Sequence, residues 1–163
     1  MNIPVALTIA GSDSGGGAGI QADIKSMQAN GVFAASVITA VTSQNTVAVT
    51  DAMDLPVSLI ASQLDAVMSD LPVAAAKTGM LSSAEIIECV SKKVVEHDIG
   101  PLVVDPVMIS KSGFPLLKDD AVDALIEFLL PLAEVCTPNA HEAARLVGFD
   151  NVFQNVDFVH SMA

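Results

Sequence analysis

Five glycines fall within nine residues in the run Gly11-Ser12-Asp13-Ser14-Gly15-Gly16-Gly17-Ala18-Gly19. Backbone this free of side chains can come close to a ligand and turn N–H groups toward it from a helix N-terminus, which is the chemistry of anion binding. The Gly-Lys-Ser/Thr ending of a Walker A loop is absent, and the GxGxxG spacing of a dinucleotide fingerprint is poorly met. The plain alternative is a tight turn between a strand and a helix. Asp105-Pro106-Val107-Met108 places a carboxylate at the end of an apolar run, where the proline stops the ladder. An acid there can bind Mg²⁺, directly or through water, and neutralise phosphate oxygens, or it can be an ordinary turn aspartate. Asn139 and Glu142, three residues apart at a helix start, share one side and can both address a hydrated metal. The same pair also fits an N-cap with a carboxylate near the positive end of the helix dipole.

Lys77, ahead of Thr78-Gly79-Met80, and Lys111, in Lys111-Ser112-Gly113, can each meet a phosphate as a point charge. A solvated surface lysine is the favoured reading for both. Gln44, in Thr42-Ser43-Gln44-Asn45-Thr46, can donate to and accept from the edge of a planar heterocycle such as an aminopyrimidine, or bond to loop backbone. The cysteines, Cys89 and Cys136, lie in apolar stretches without a CxxC spacing, and read as two buried reduced thiols. His97, His141 and His160 have no metal-ligand spacing and read as surface or helix-end residues.

The elements that must position these residues alternate along the chain. Val5 to Ala10 is a strand ending in the glycine loop, and Ile20, Ile24 and Met27 recur at helical spacing within Ala18 to Ala29. Val32 to Val41, rich in Val, Ile, Ala and Thr, reads as a strand covered on both faces. Pro56 suits a first helical turn, and Leu59, Ile60, Gln63, Leu64, Val67 and Met68 form a mostly apolar stripe. A strand follows from Val73 to Thr78. Ser82 with Glu85 reads as a capping box for a helix whose stripe is Ile86, Ile87, Val90 and Val94. Leu102 to Val104 is a strand, Asp119 and Asp120 open a helix through Leu130, Val135 to Thr137 is a last strand, and a helix runs from about Ala140 to Leu146. Such alternation predicts a mainly parallel sheet covered by helices, because each parallel return needs a crossover that packs on a face. Ligands then bind beyond the carboxyl ends of the strands, which singles out Gly11 to Gly19, Thr42 to Thr46, Lys77 to Leu81, Asp105 to Gly113 and Thr137 to Glu142.

With 163 residues, 52% of them hydrophobic, the sequence can bury a substantial single core. A net charge of −12 with seven Lys and Arg argues against a sequence-independent nucleic-acid binder, which must neutralise many phosphates at once. No segment has the roughly 18 uninterrupted apolar residues of a membrane span, and the start lacks the layout of a secretory signal, so the expected location is cytoplasmic, with no membrane partner.

The motifs, in their order, resemble one family. Ala6 through Asp23, Ser36-Val37-Ile38-Thr39-Ala40 through Gln44-Asn45-Thr46, Lys77-Thr78-Gly79-Met80-Leu81, Val103-Val104-Asp105-Pro106-Val107-Met108, Lys111-Ser112-Gly113 and Thr137-Pro138-Asn139 are similar to the phosphomethylpyrimidine kinases of thiamine biosynthesis, from about Pro4 to Leu146. The resemblance implies a ribokinase-like three-layer α/β/α fold with a mainly parallel central sheet. It implies ATP and Mg²⁺ as co-substrates, and phosphorylation of 4-amino-5-hydroxymethyl-2-methylpyrimidine and then of its monophosphate. By the same resemblance Gln44 reads the pyrimidine edge, Gly11, Ala18, Asp23, Thr42, Met80 and Val107 line that pocket, and Asp105, Asn139 and Glu142 sit on the metal and phosphate side, with Asp105 and Glu142 as metal ligands. The glycine-rich anion hole of the family, its hydroxyl-activating residue and its phosphate-binding lysine belong to a C-terminal portion that nothing in Gly148 to Ala163 resembles. The expectation is a single domain over 1–163 that lacks that portion, with no catalytic residue assigned, associating as a homodimer. The competing expectations are a non-catalytic pyrimidine-binding or interaction module, a nucleotide-dependent oxidoreductase, and a side activity on pyridoxal-type substrates.

Overall fold

The structure is a computed structural model that describes residues 3–109, 116–117 and 119–148. Its strands are β1 (Val5–Asp13), β2 (Phe33–Gln44), β3 (Val49–Asp54), β4 (Val73–Thr78), β5 (Leu102–Val104) and β6 (Val135–Cys136). They form one sheet in the order β3-β2-β1-β4-β5-β6. Every pairing is parallel except β2 with β3. Strand β3 was absent from the sequence reading, because of its six residues only Val49 is buried and no apolar alternation marks it.

The helices are α1 (Gly19–Ala29), α2 (Val57–Met68), α3 (Ala84–Glu96), α4 (Asp119–Ala124) and α5 (Ala140–Leu146). Helix α4 runs on as a π-helical segment, Leu125–Leu129, and a 3₁₀ turn, Leu130–Leu132, which contains Pro131. Strand alternation sorts the helices into two layers. Leu7, Ile9, Val37 and Ala76 on one face join Ile60, Leu64, Ile87, Val90, Ala121, Leu125 and Leu129 in the main core. Thr8 and its parallel partner Lys77 point the other way, and Thr8 reaches Asp23 on α1. The result is the three-layer arrangement expected from the alternation.

Three local readings are corrected. The N-cap of α3 is Ser83, whose Oγ accepts from the Ile86 N–H; Ser82 instead donates to Asp54 at the end of β3. Strand β2 is not covered on both faces: Ala35, Val37, Thr39, Ala40 and Thr42 are buried, whereas Phe33 and Val41 are exposed and Ser36 and Ile38 only half-buried. Gln63, grouped with the apolar stripe of α2, uses its amide to accept from the Ile38 N–H and donate to the Ile38 carbonyl, which closes the β2 edge ahead of β3. That satisfies two backbone groups that no neighbouring strand reaches.

The expectation of two buried thiols is also overturned. Both cysteines are free, but Cys89 is only partly buried and Cys136 is exposed, because β6 is the edge strand of the sheet among the described residues. Desolvation nonetheless pushes both thiols above their ordinary range; at Cys136 the charges of Asp105 and Glu142 add to it while the Thr137 backbone acts against it. His97 ends α3 and His141 is exposed in α5, as expected, while His160 lies outside the described residues. Among the described residues no helix is long and apolar enough to cross a membrane.

Candidate functional site

The carboxyl ends of β1, β2, β4 and β5 open onto one cavity of about 650 Å³, within the range of small-molecule sites. The glycine loop forms one wall. Gly19 enters α1 at φ 57°, and a Cβ there would lie 2.3 Å from the Gly11 carbonyl oxygen, so this position demands glycine. The loop amides, expected to face a ligand, are claimed from within. The carboxylate of Asp13, 5% exposed, accepts from the N–H groups of Gly15 at 2.7 Å, Gly17 at 2.9 Å and Ala18 at 2.8 Å. A buried carboxylate outcompetes water for these donors and sets the loop's shape before any ligand arrives. Asp13 also lines the cavity and was passed over in the sequence; the Asp-x-Gly spacing of an Asx turn is the signal that marks it.

All seven residues expected in the pyrimidine pocket, Gly11, Ala18, Asp23, Thr42, Gln44, Met80 and Val107, line this cavity, and so does Asp105. Gln44 is anchored by its backbone, whose N–H donates to Ser14 Oγ at 2.8 Å and whose carbonyl accepts from the same hydroxyl at 2.6 Å. Its side-chain Oε1 accepts from Thr42 Oγ1 at 3.2 Å. The reading of Lys77 as solvated is corrected: it lines the cavity, its side chain is 22% exposed, and its Nζ lies 3.1 Å from Asp23 Oδ2 and 3.3 Å from Asp105 Oδ2. Asp23 is held from the other side by Thr8 Oγ1 at 2.6 Å. A lysine on a strand between two acids finds partners for its charge while most of its side chain is buried.

Asn139 and Glu142 stand apart from the cavity wall at the start of α5. Asn139 Oδ1 accepts from the His141 and Glu142 N–H groups, and the Glu142 carboxylate, 7% exposed as a residue, accepts from the Asn139 N–H at 2.8 Å. This is the capping box that their spacing also allowed. Glu142 still shares an electrostatic neighbourhood with Asp105, since both carboxylates disfavour the Cys136 thiolate. Lys111 lies outside the described residues.

A mostly parallel sheet between helix layers, with a ligand-sized cavity at the strand ends, places the chain among α/β folds that bind small molecules there, and its likeness to solved vitamin kinases narrows this to the ribokinase-like class. A family model described as phosphomethylpyrimidine kinase matches residues 13–163, and the chain belongs to that family. It is 56% identical over 147 residues to the hydroxymethylpyrimidine/phosphomethylpyrimidine kinase of Haemophilus influenzae, covering 90% of this chain and 55% of the relative. The crystal structure of phosphomethylpyrimidine kinase from Clostridium difficile 630 superposes with a TM-score of 0.84 at 51% identity, covering 89% of this chain and 63% of that one. A pyridoxal kinase of Bacillus subtilis, solved as an ADP complex, has a TM-score of 0.82 at 37% identity over 98% of this chain and 61% of its own. The chain thus spans about half the length of the curated relatives it matches.

Proposed function

We propose that this chain forms the pyrimidine-binding part of an ATP- and Mg²⁺-dependent kinase that phosphorylates 4-amino-5-hydroxymethyl-2-methylpyrimidine and then its monophosphate, acting in the cytoplasm as a homodimer. The observation that carries the reading is that Gln44 and Asp105, from distant parts of the sequence, open onto the same cavity. A flat heteroaromatic alcohol fits between them. The Gln44 amide can pair with an amine and a ring nitrogen together, the glycine wall admits a planar ring, and Met80 and Val107 supply apolar contact.

Phosphoryl transfer asks the protein mainly to align a hydroxyl and shield charge. Asp105 and Glu142 are oxygen donors of the class Mg²⁺ takes, and the capping box holds the Glu142 side chain at a fixed place. They are the residues that would hold the ion, which supplies charge neutralisation at the transferring phosphate. Asn139 positions Glu142 from both sides of the cap: its Oδ1 accepts from the Glu142 N–H, and its own N–H donates to the Glu142 carboxylate. The chain's own work in the first step is to hold the ring and keep the hydroxymethyl group at the Asp105 end of the cavity.

Calorimetric titration with the hydroxymethylpyrimidine tests the binding claim. Gln44→Ala is expected to weaken binding by at least about tenfold, since one side-chain amide pairing with a buried heterocycle is worth roughly 1.4 kcal/mol or more. Absence of heat with the unaltered chain sinks the reading. A coupled ATP-consumption assay then separates a kinase from a pyrimidine-binding module without transfer activity, and pyridoxal as competitor measures how narrowly the cavity selects its ring.

A further inference from the structure

Charge on the cavity wall does not suit the second of those two substrates. Three acids, Asp13, Asp23 and Asp105, line it, and Lys77 is the one cation among the described lining residues. Asp13 is already engaged by three backbone N–H groups. Asp23 and Asp105 face one another across a single ammonium: Lys77 Nζ contacts both Asp23 oxygens, at 3.1 and 3.2 Å, and Asp105 Oδ2 at 3.3 Å. The three groups come from α1, from β4 and from the turn after β5, so the bridge ties the α1 layer to two neighbouring strand ends. The ammonium donates hydrogen bonds to both Asp23 oxygens and forms an ion pair with Asp105.

We infer that Lys77 is a specificity-determining and positioning residue whose charge makes the cavity admissible to an anionic substrate, the pyrimidine monophosphate, as well as to the neutral alcohol. The inference rests on the pyrimidine reading of the cavity. Like charges in a partly desolvated wall repel an incoming anion far more than they do in water, and one ammonium in contact with both carboxylates cancels one of their two charges at the point where they are closest. The neutral alcohol feels only the local geometry, whereas the monophosphate feels geometry and field together. Removing the charge therefore penalises the two ligands unequally, which loss of shape alone does not do.

The experiment measures dissociation constants of the hydroxymethylpyrimidine and of its monophosphate for the unaltered chain, K77M, K77Q and K77R, at low and at physiological ionic strength. K77M and K77Q are expected to weaken the monophosphate at least about tenfold more than the alcohol, with the excess shrinking only modestly as salt is raised, because these acids are half-buried and weakly screened. K77R, which keeps the charge, is expected to recover most of that excess. K77Q keeps polar contacts to both acids and carries the comparison where K77M unfolds. Equal losses for the two ligands in the neutral variants, or an excess that arginine does not reverse, overturn the role of Lys77 and leave the pyrimidine reading standing. Failure of the unaltered chain to bind either pyrimidine overturns both.

Discussion

Single residues here are constrained by backbone more than by side-chain partners, and the glycines separate the two effects. Gly19 and Gly31 both hold positive φ, 57° and 75°, but a Cβ at Gly19 meets the Gly11 carbonyl at 2.3 Å while nothing lies within 4 Å of one at Gly31. Gly31→Ala is expected to cost only the left-handed backbone penalty, about 1 kcal/mol. Gly19→Ala adds a clash between backbone segments that frame the cavity, for a total of at least about 2 kcal/mol and loss of pyrimidine binding. Urea unfolding of the two variants checks this, and equal destabilisation contradicts it. The glycine count was visible in the sequence, but what the loop does was not. Asp13 claims three loop amides, and Lys77 turns away from solvent between two acids, because partners 54 and 28 residues away, Asp23 and Asp105, fold against it. Spacing along a chain carries no record of such meetings, which is why Lys77 reads as an ordinary surface lysine until the sheet is formed.

Elements were legible wherever one face is buried and obscure wherever neither is. Helix α3, with Ile86, Ile87, Val90 and Val94 all buried, is legible from its stripe even though its N-cap is Ser83 and not the Ser82 of the expected capping box. Strand β3 does not, since it is held by pairing to β2 and shows almost no burial pattern. Helices α2 and α3 are joined at their solvent side by a charged clamp in which Asp65 Oδ1 meets Lys93 Nζ at 2.7 Å and His97 Nε2 at 2.6 Å, with Glu96 also on Lys93. The bond from Lys93, and then that from His97, holds the Asp65 carboxyl below the ordinary carboxylate range. Lys93 is held above the ordinary lysine range, first by Asp65 and then by Glu96. A carboxyl more acidic in the folded chain stabilises it above the unfolded pKa, near 4, and that contribution disappears as the pH falls through the lower folded value. For the lysine the contribution is complete below its unfolded pKa and is lost as the pH rises through the folded one. Asp65→Asn is therefore expected to lower the unfolding midpoint at pH 7, with the gap from the unaltered chain closing toward pH 3. A gap that persists undiminished in acid contradicts the clamp.

At the scale of the whole molecule the sequence disclosed the class of fold and the rim where ligands bind, because strands and helices alternate and parallel strands bring their carboxyl ends together. It disclosed the net charge but not how charge is arranged around the cavity that a ligand must enter. The chain carries a net charge of −12, and the cavity wall sets three acids against one lysine. An anionic ligand approaching such a body is slowed by repulsion that reaches about 30 Å at 0.01 M salt and only about 8 Å at 0.15 M. Lys77 offsets acids at contact range, where it governs the bound state, but it cannot reverse the sign of the field farther out. On the pyrimidine reading of the site, the association rate of the monophosphate is expected to rise several-fold as salt is raised over that range, while that of the neutral alcohol stays nearly flat. Stopped-flow binding of the two ligands measures this directly. A monophosphate rate that falls with added salt shows instead that local positive charge steers the encounter, and it refutes the division of labour between a repelling body and a single neutralising lysine.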